Sequence, residues 1–287
     1  MFHKMITPIV GALLFLLTFN AYSQDHIQTD RYTASNKGKF FMSWGGNRAK
    51  YSNSDITFEG NDYKFTINNA TAHDKPKGWH IDYINPKRLT NPQTNFKLGY
   101  FISDHYTVSL GLDHMKYVMS SNRHRVLDGY IDLPSEHVGS IYNGVYDQEN
   151  FKVSEAFLQF EHTDGLNYIY AGIARFDDIS SLFSLNNTDK IQLNMTEGFS
   201  AGVLYPKTNA TLFNDQRYDA FHVSGFGVSA SAGLNLTFFK HLFIQGDLKG
   251  GFINMGDIRT TPNTSDSASQ HFFFAESIFS IGGIFRV

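Results

Sequence analysis

Residues 226–238 alternate without a break. Phe226, Val228, Ala230, Ala232, Leu234, Leu236 and Phe238 share one parity, and Gly227, Ser229, Ser231, Gly233, Asn235 and Thr237 share the other. Side chains alternate faces along a strand, so one face is apolar and the other small and polar. Residues 242–252 repeat the pattern: Leu242, Ile244, Leu248 and Phe252 stand opposite Gln245, Asp247 and Lys249. A short Lys240-His241 turn joins the two runs. Each is close to the ~9–11 residues that a tilted strand needs to cross a bilayer. The pair predicts a hairpin with lipid on one face and a polar lumen on the other.

The same reading extends along the chain. Residues 39–51 put Phe40, Met42 and Trp44 toward lipid and Phe41, Ser43, Gly45 and Asn47 inward. Residues 95–102 show Phe96, Leu98, Tyr100 and Ile102 on one face, and residues 106–119 set Val108, Leu110 and Leu112 against Thr107, Ser109, Gly111 and Asp113. Further strands are predicted at 151–162 (Leu158 and Phe160 outward; Glu155, Gln159 and Glu161 inward), 166–176 and 271–287. Residues 55–59 and 63–68 predict a hairpin above the membrane. Connections alternate in length, the short ones being 103–105, 163–165 and 240–241. Outer-membrane barrels have short periplasmic turns and long extracellular loops, and an even strand number. The expected fold is therefore all-β: an antiparallel up-and-down transmembrane β-barrel of about eight strands, or about ten if residues 198–213 contribute two more.

The N-terminus changes the picture of location. An uncharged apolar run at residues 6–19 precedes Ala21-Tyr22-Ser23. This predicts a signal peptide at 1–23, a periplasmic lead-in at 24–38 and a barrel domain at 39–287. The chain has no cysteine, which excludes disulfides, thiolate metal sites and a Cys nucleophile. A net charge of −3 gives no basic field for nucleic acid.

The phrases SWGGNRAKYSNSDI, NFKLGYFISDHYTVSLGLDHMKYV and FHVSGFGVSASAGLNLTFFKHLFIQ resemble uncharacterised outer-membrane proteins of the Bacteroidota. The plan is similar to small Gram-negative outer-membrane barrels of the OmpA and OmpW types. That resemblance implies residence in the cell outer membrane and contact with outer-membrane lipid or lipopolysaccharide. It implies no catalytic activity. Such barrels often end in an aromatic residue, whereas this chain ends Phe285-Arg286-Val287. No periplasmic domain is expected after the barrel, so OmpA-type peptidoglycan binding is not implied.

Inward parity gathers Lys97, Asp113, Glu155, Gln159, Glu161, Asp247, Lys249 and Glu276. An eight-stranded barrel has its interior filled by side chains. Buried charges are tolerable when paired, so these residues predict an ionic plug, with Asp247 and Lys249 as a pair. A narrow channel for small or apolar solutes is the alternative. His73, Asp74, His80, His124 and His137 sit in long loops without metal-ligand spacing, so no metal and no cofactor is expected. His222 and Ser224 form a His-x-Ser pair near the rim, similar to that of outer-membrane lipid A deacylases. A hydrolase would use Ser224 as nucleophile and His222 as base, with Asp219 a guess for the orienting carboxylate. His114 and Lys116 share the outward parity, with Lys116 placed to reach lipid headgroups. The leading expectation is a non-enzymatic barrel whose extracellular loops bind a protein partner or support the envelope.

Overall fold

Alternation of side chains produces fifteen strands among the described residues of a computed structural model, which describes residues 35–78 and 92–287. In chain order they are β1 (Phe40–Tyr51), β2 (Ser54–Glu59), β3 (Tyr63–Ala70), β4 (Ala72–His73), β5 (Thr94–Phe101), β6 (Tyr106–Met119), β7 (Arg123–Ile131) and β8 (Gly144–Val153). There follow β9 (Leu158–Asp178), β10 (Ile191–Leu204), β11 (Lys207–Leu212), β12 (Tyr218–Phe221), β13 (Gly225–Phe238), β14 (Leu242–Arg259) and β15 (Ser267–Phe285). Eight of these close a ring in the order β1-β5-β6-β9-β10-β13-β14-β15 and back to β1. Every pair around it is antiparallel. The expected eight-stranded barrel is thus the architecture found. The expected leader at 1–23, residues 24–34 of the expected lead-in, and His80 lie outside the described residues.

The register fixes the shape. A path from Trp44 through Phe96, Leu112, Ile169, Val203, Phe226 and Asn254 reaches His271 on β15. Trp44 itself pairs with Ile281 on that strand, so the offset, 281 less 271, is ten residues. With a rise of ~3.3 Å per residue and strands ~4.8 Å apart, this shear tilts the strands by about 41° and sets the backbone about 8 Å from the axis. Outward side chains form an apolar belt that includes Leu110, Phe199, Ile173 and Leu248, each more than 60 % exposed. It runs from Ile102 and Phe285 to Val203 and Val228, a height of about 25 Å at this tilt, which matches the apolar band of a membrane barrel.

One end carries tight turns at residues 102–105 and 239–241 and a longer connection at 179–190 that holds a helical turn, Ser180–Phe183. In the turn at 239–241, Phe239 and Lys240 both have positive φ (51° and 66°) and His241 N–H bonds to the Phe238 carbonyl at 3.1 Å, a type I′ turn that suits the strand twist. At the turn of residues 102–105, the Asp104 carboxylate accepts N–H bonds from Asn36 (2.8 Å) and Lys37 (2.9 Å). Those bonds, that of Lys37 first, hold its carboxyl below the usual carboxylate range. A depressed carboxyl stabilises the folded form above its unfolded pKa of ~3.9, and that contribution is lost as pH falls through the lower folded value. The amide resonances of Asn36 and Lys37 should therefore hold at neutral pH and move together only below pH ~4. In Asp104→Ala they should sit at the released position at every pH. Amides that stay put through the acid range until the barrel unfolds would contradict this.

Two strand assignments from sequence are corrected. Residues 163–165 are not a turn: β9 runs straight through them. Met115 pairs with Leu166 and Tyr117 with His162, so three residues bulge opposite Lys116 alone. Thr163-Asp164-Gly165 carries turn chemistry, but β6 pairs with the chain on both sides of it, and Gly165 (φ 138°) absorbs the kink. Conversely, β10 spans the barrel where a long loop was expected. Its alternation of Ile191, Leu193, Met195 and Phe199 against Gln192, Asn194 and Thr196 is interrupted outward by Glu197. One strand too many and one too few leave the total at eight.

The long connections are not loose. The first residues of β15, 267–270, pair with β2, and the sheet continues through β3, β7 and β8; β9 pairs with β11, and β11 with β12. The hairpin expected at 55–68 is therefore present, as β2 and β3. Phe58, Phe65, Phe157, Phe160, Leu158 and Ile67 are all buried in the core that these strands enclose, which reaches down to Tyr168 and Phe274 in the barrel. Leu158 and Phe160 thus point inward, opposite to expectation, because β9 begins in this cap and not in the membrane.

Candidate functional site

Alternation on five ring strands aims polar groups at the barrel's middle. Asn47 (β1), Asn95 (β5), Asp113 (β6), Lys249 (β14) and Glu276 (β15) are each less than a tenth exposed. Lys249 Nζ makes an ion pair with Asp113 and lies 4.2 Å from the Tyr170 ring centroid. Asn95 Nδ2 bridges the two carboxylates, donating to Asp113 at 2.7 Å and to Glu276 at 3.2 Å. Asn47 Nδ2 donates to Asn95 (2.7 Å), and Gln93 Nε2 to Asn47 (3.1 Å) and Asp74 (2.7 Å). Low local dielectric makes such a network strong when complete and costly when broken. Glu276 Oε2 makes no hydrogen bond in it.

The expected partner of Lys249 is corrected. Asp247 and Lys249 share a face but do not pair; the shear places Asp113 across the lumen from Lys249. Asp247 instead accepts two bonds from Gln245 Nε2, each 2.9 Å. With Lys97, Asn235 and Thr196 it lines a cavity of about 30 Å³, room for one or two waters. Below the cavity, Phe41, Phe101, Phe243 and Ile284 pack into a second, apolar layer. Gly99 and Gly282 allow it: a Cβ on either would come within 2.3 Å of the Phe41 or Phe243 ring.

Glu155 and Glu161 are outside the lumen. Glu155 is exposed before β9, Gln159 is exposed on it, and Glu161 sits beside the bulge with Thr163 (2.9 Å), Asn209 (3.3 Å) and Lys75 (3.5 Å). Both carboxylates precede the part of β9 that lies in the ring wall. Asn95, Tyr170, Gln93 and Asp74 belong to this network but not to the set of lumen residues expected from sequence. The parity of Asn95 with Lys97 was the available signal for the first, whereas Gln93 and Asp74 lie off the regular strands.

At the rim, His222 Nε2 pairs with Asp257 Oδ2 at 2.8 Å, and Asp257 with Arg259 at 3.8 Å. Ser224 is buried, and its hydroxyl donates to the His222 carbonyl at 3.3 Å. Asp219 is held by Lys207 (3.3 Å) and Arg217 (3.6 Å). The imidazole thus has a carboxylate partner, but not the guessed one, and Ser224 is turned to the backbone. His114 is buried against the bulge, its Nδ1 2.7 Å from Asn167 Oδ1, while Lys116 is half-buried opposite residues 163–165. Among the described residues no three His, Asp or Glu side chains are placed to hold a metal ion.

No protein-family model matches this sequence, and no curated protein sequence does. Solved structures similar in fold include the outer membrane protein OprG from Pseudomonas aeruginosa, at 8% identity and a TM-score of 0.40, covering 90% of this chain and 100% of that one. Ail, the attachment invasion locus protein of Yersinia pestis, is 10% identical with a TM-score of 0.32, covering 87% and 99%. The outer membrane protease OmpT from Escherichia coli is 10% identical with a TM-score of 0.30, covering 90% and 99%.

Proposed function

We propose that this chain is an integral outer-membrane protein whose barrel serves as a sealed anchor and whose folded cap is the working surface, binding a partner outside the cell. The observation that carries this reading is the filling of the lumen in successive layers. An aromatic layer is followed by the polar cavity, the Asp113–Lys249 network and the large core of the cap. Among the described residues these layers fill the lumen, which favours a sealed barrel and leaves the outer surface for recognition. The far end of the cap offers Val138, Ile141 and Val145, at 55%, 79% and 85% exposure, around the short helical turn Val138–Tyr142. Apolar side chains so exposed suit a protein partner more than a free surface.

The purified protein in a planar lipid bilayer should give no single-channel steps. Reproducible steps that vanish on heat denaturation would replace the anchor reading with the channel. The hydrolase reading asks that Ser224 turn from the His222 carbonyl toward its ring, and an unchanged lipid A acyl pattern on expression would remove it.

A further inference from the structure

The exterior of the barrel carries two charges where a membrane barrel least tolerates them. Arg175 on β9 and Glu197 on β10 are direct cross-strand partners, so they share a face. That face is the outer one, because Ile173 beside Arg175 and Phe199 beside Glu197 are both exposed on it. The register sets their height. At the tilt found, each residue along a strand climbs ~2.5 Å, and each step across to the next strand ~3 Å. Glu197 then lies about 3 Å, and Arg175 about 6 Å, from the level of Trp44, within the apolar belt and away from its edges. Arg48 and Lys50, also outward, fall at its edge.

Ionisable groups facing lipid at this depth are costly and need a partner. Arg175 Nε binds Asp177 at 2.6 Å, which leaves most of its donors unused. The Glu197 carboxylate makes no side-chain hydrogen bond or ion pair among the described residues, although Arg175 is its cross-strand neighbour. Around them the wall is shallow: Ala171 pairs with Ala201, Ala230 with Phe199 and Ala232 with Glu197. Small outward residues let two backbones approach closely.

We propose that the outer face of β9, β10 and β13 is where a second copy of this chain docks within the bilayer, Arg175 of each copy meeting Glu197 of the other. A two-fold axis makes such an interface self-complementary: one cation and one carboxylate side by side become two ion pairs, and both leave the lipid. This interface is independent of the cap's role, since it lies on the wall of the barrel.

The test uses the native absence of cysteine. Thr264→Cys, on the exposed connection between β14 and β15, labels the full chain with donor or acceptor dye away from the proposed face and from the apolar patch of the cap. In phosphatidylcholine vesicles the labelled chains should transfer energy at protein-to-lipid ratios too low for chance encounters. Arg175→Glu and Glu197→Arg, each alone, place like charges across the axis and should lose the transfer. Mixed one to one, the two variants should regain it, because each now supplies what the other lacks. A pair acting only within one barrel cannot be rescued by mixing. Transfer by the unaltered chains no greater than chance would overturn the proposal, as would a silent mixture of two folded variants. Should a swapped chain fail to fold, Arg175→Gln and Glu197→Gln are used, and each should lower the transfer; unchanged transfer in both would overturn the proposal.

Discussion

Lys249→Met destabilises the barrel by about 3–5 kcal/mol, the cost of leaving a buried charge without its partner. The Asp113 carboxylate then remains in the lumen with Asn95 as its remaining hydrogen-bond donor, beside the second carboxylate of Glu276. Methionine fills much of the lysine stem's volume, so the loss reports charge and not a cavity. Adding Asp113→Asn to the same chain removes the stranded charge and keeps an acceptor for Asn95. The double variant should therefore be more stable than Lys249→Met alone. Urea unfolding in detergent, read by the mobility of unheated samples on gels, gives the losses of Lys249→Met, of Asp113→Asn alone and of the double variant. Losses that simply add would mean that the two residues do not act as a pair.

Phe157→Ala should cost about 3–5 kcal/mol, and the loss should fall on the cap. The Phe157 ring is fully buried, with the rings of Phe151, Tyr142, Phe65 and Phe213 at 4.6, 5.1, 5.5 and 5.6 Å. Truncating it removes the shared contact of β3, the helical turn and the residue after β11. The ring of eight strands has its own closed hydrogen bonding and should survive. Brief trypsin treatment should then cut at Arg123, Arg125 or Lys152 in the variant and leave the unaltered protein whole, while both keep barrel mobility on gels. A variant that resists trypsin, or one whose barrel is lost with the cap, would contradict a separately packed cap.

Alternation with period two was enough to place β1, β5, β6, β13, β14 and β15 and to say which side chains enter the lumen. It failed where chemistry interrupted the pattern. Glu197 breaks the apolar face of β10, and Thr163-Asp164-Gly165 imitates a turn within β9. In both places pairing with neighbouring strands overrode the local signal. The inward charges Asp113, Asp247, Lys249 and Glu276 were legible for the same reason as the strands. Their partners were not, because residues that meet across a lumen are fixed by shear, a property of the closed ring. The cap was half visible: Ile56, Phe58, Phe65 and Ile67 alternate in plain view, yet nothing in the chain says that the hairpin bearing them joins β15.

That junction has a consequence for how the molecule is made. The final strand, β15, closes the ring against β1 and also starts the sheet of the cap against β2. Neither half can reach its finished form until β15 is in place. Barrel and cap are thus completed together, and until then the chain keeps its greasy faces uncovered, in need of an escort until β1 and β15 meet.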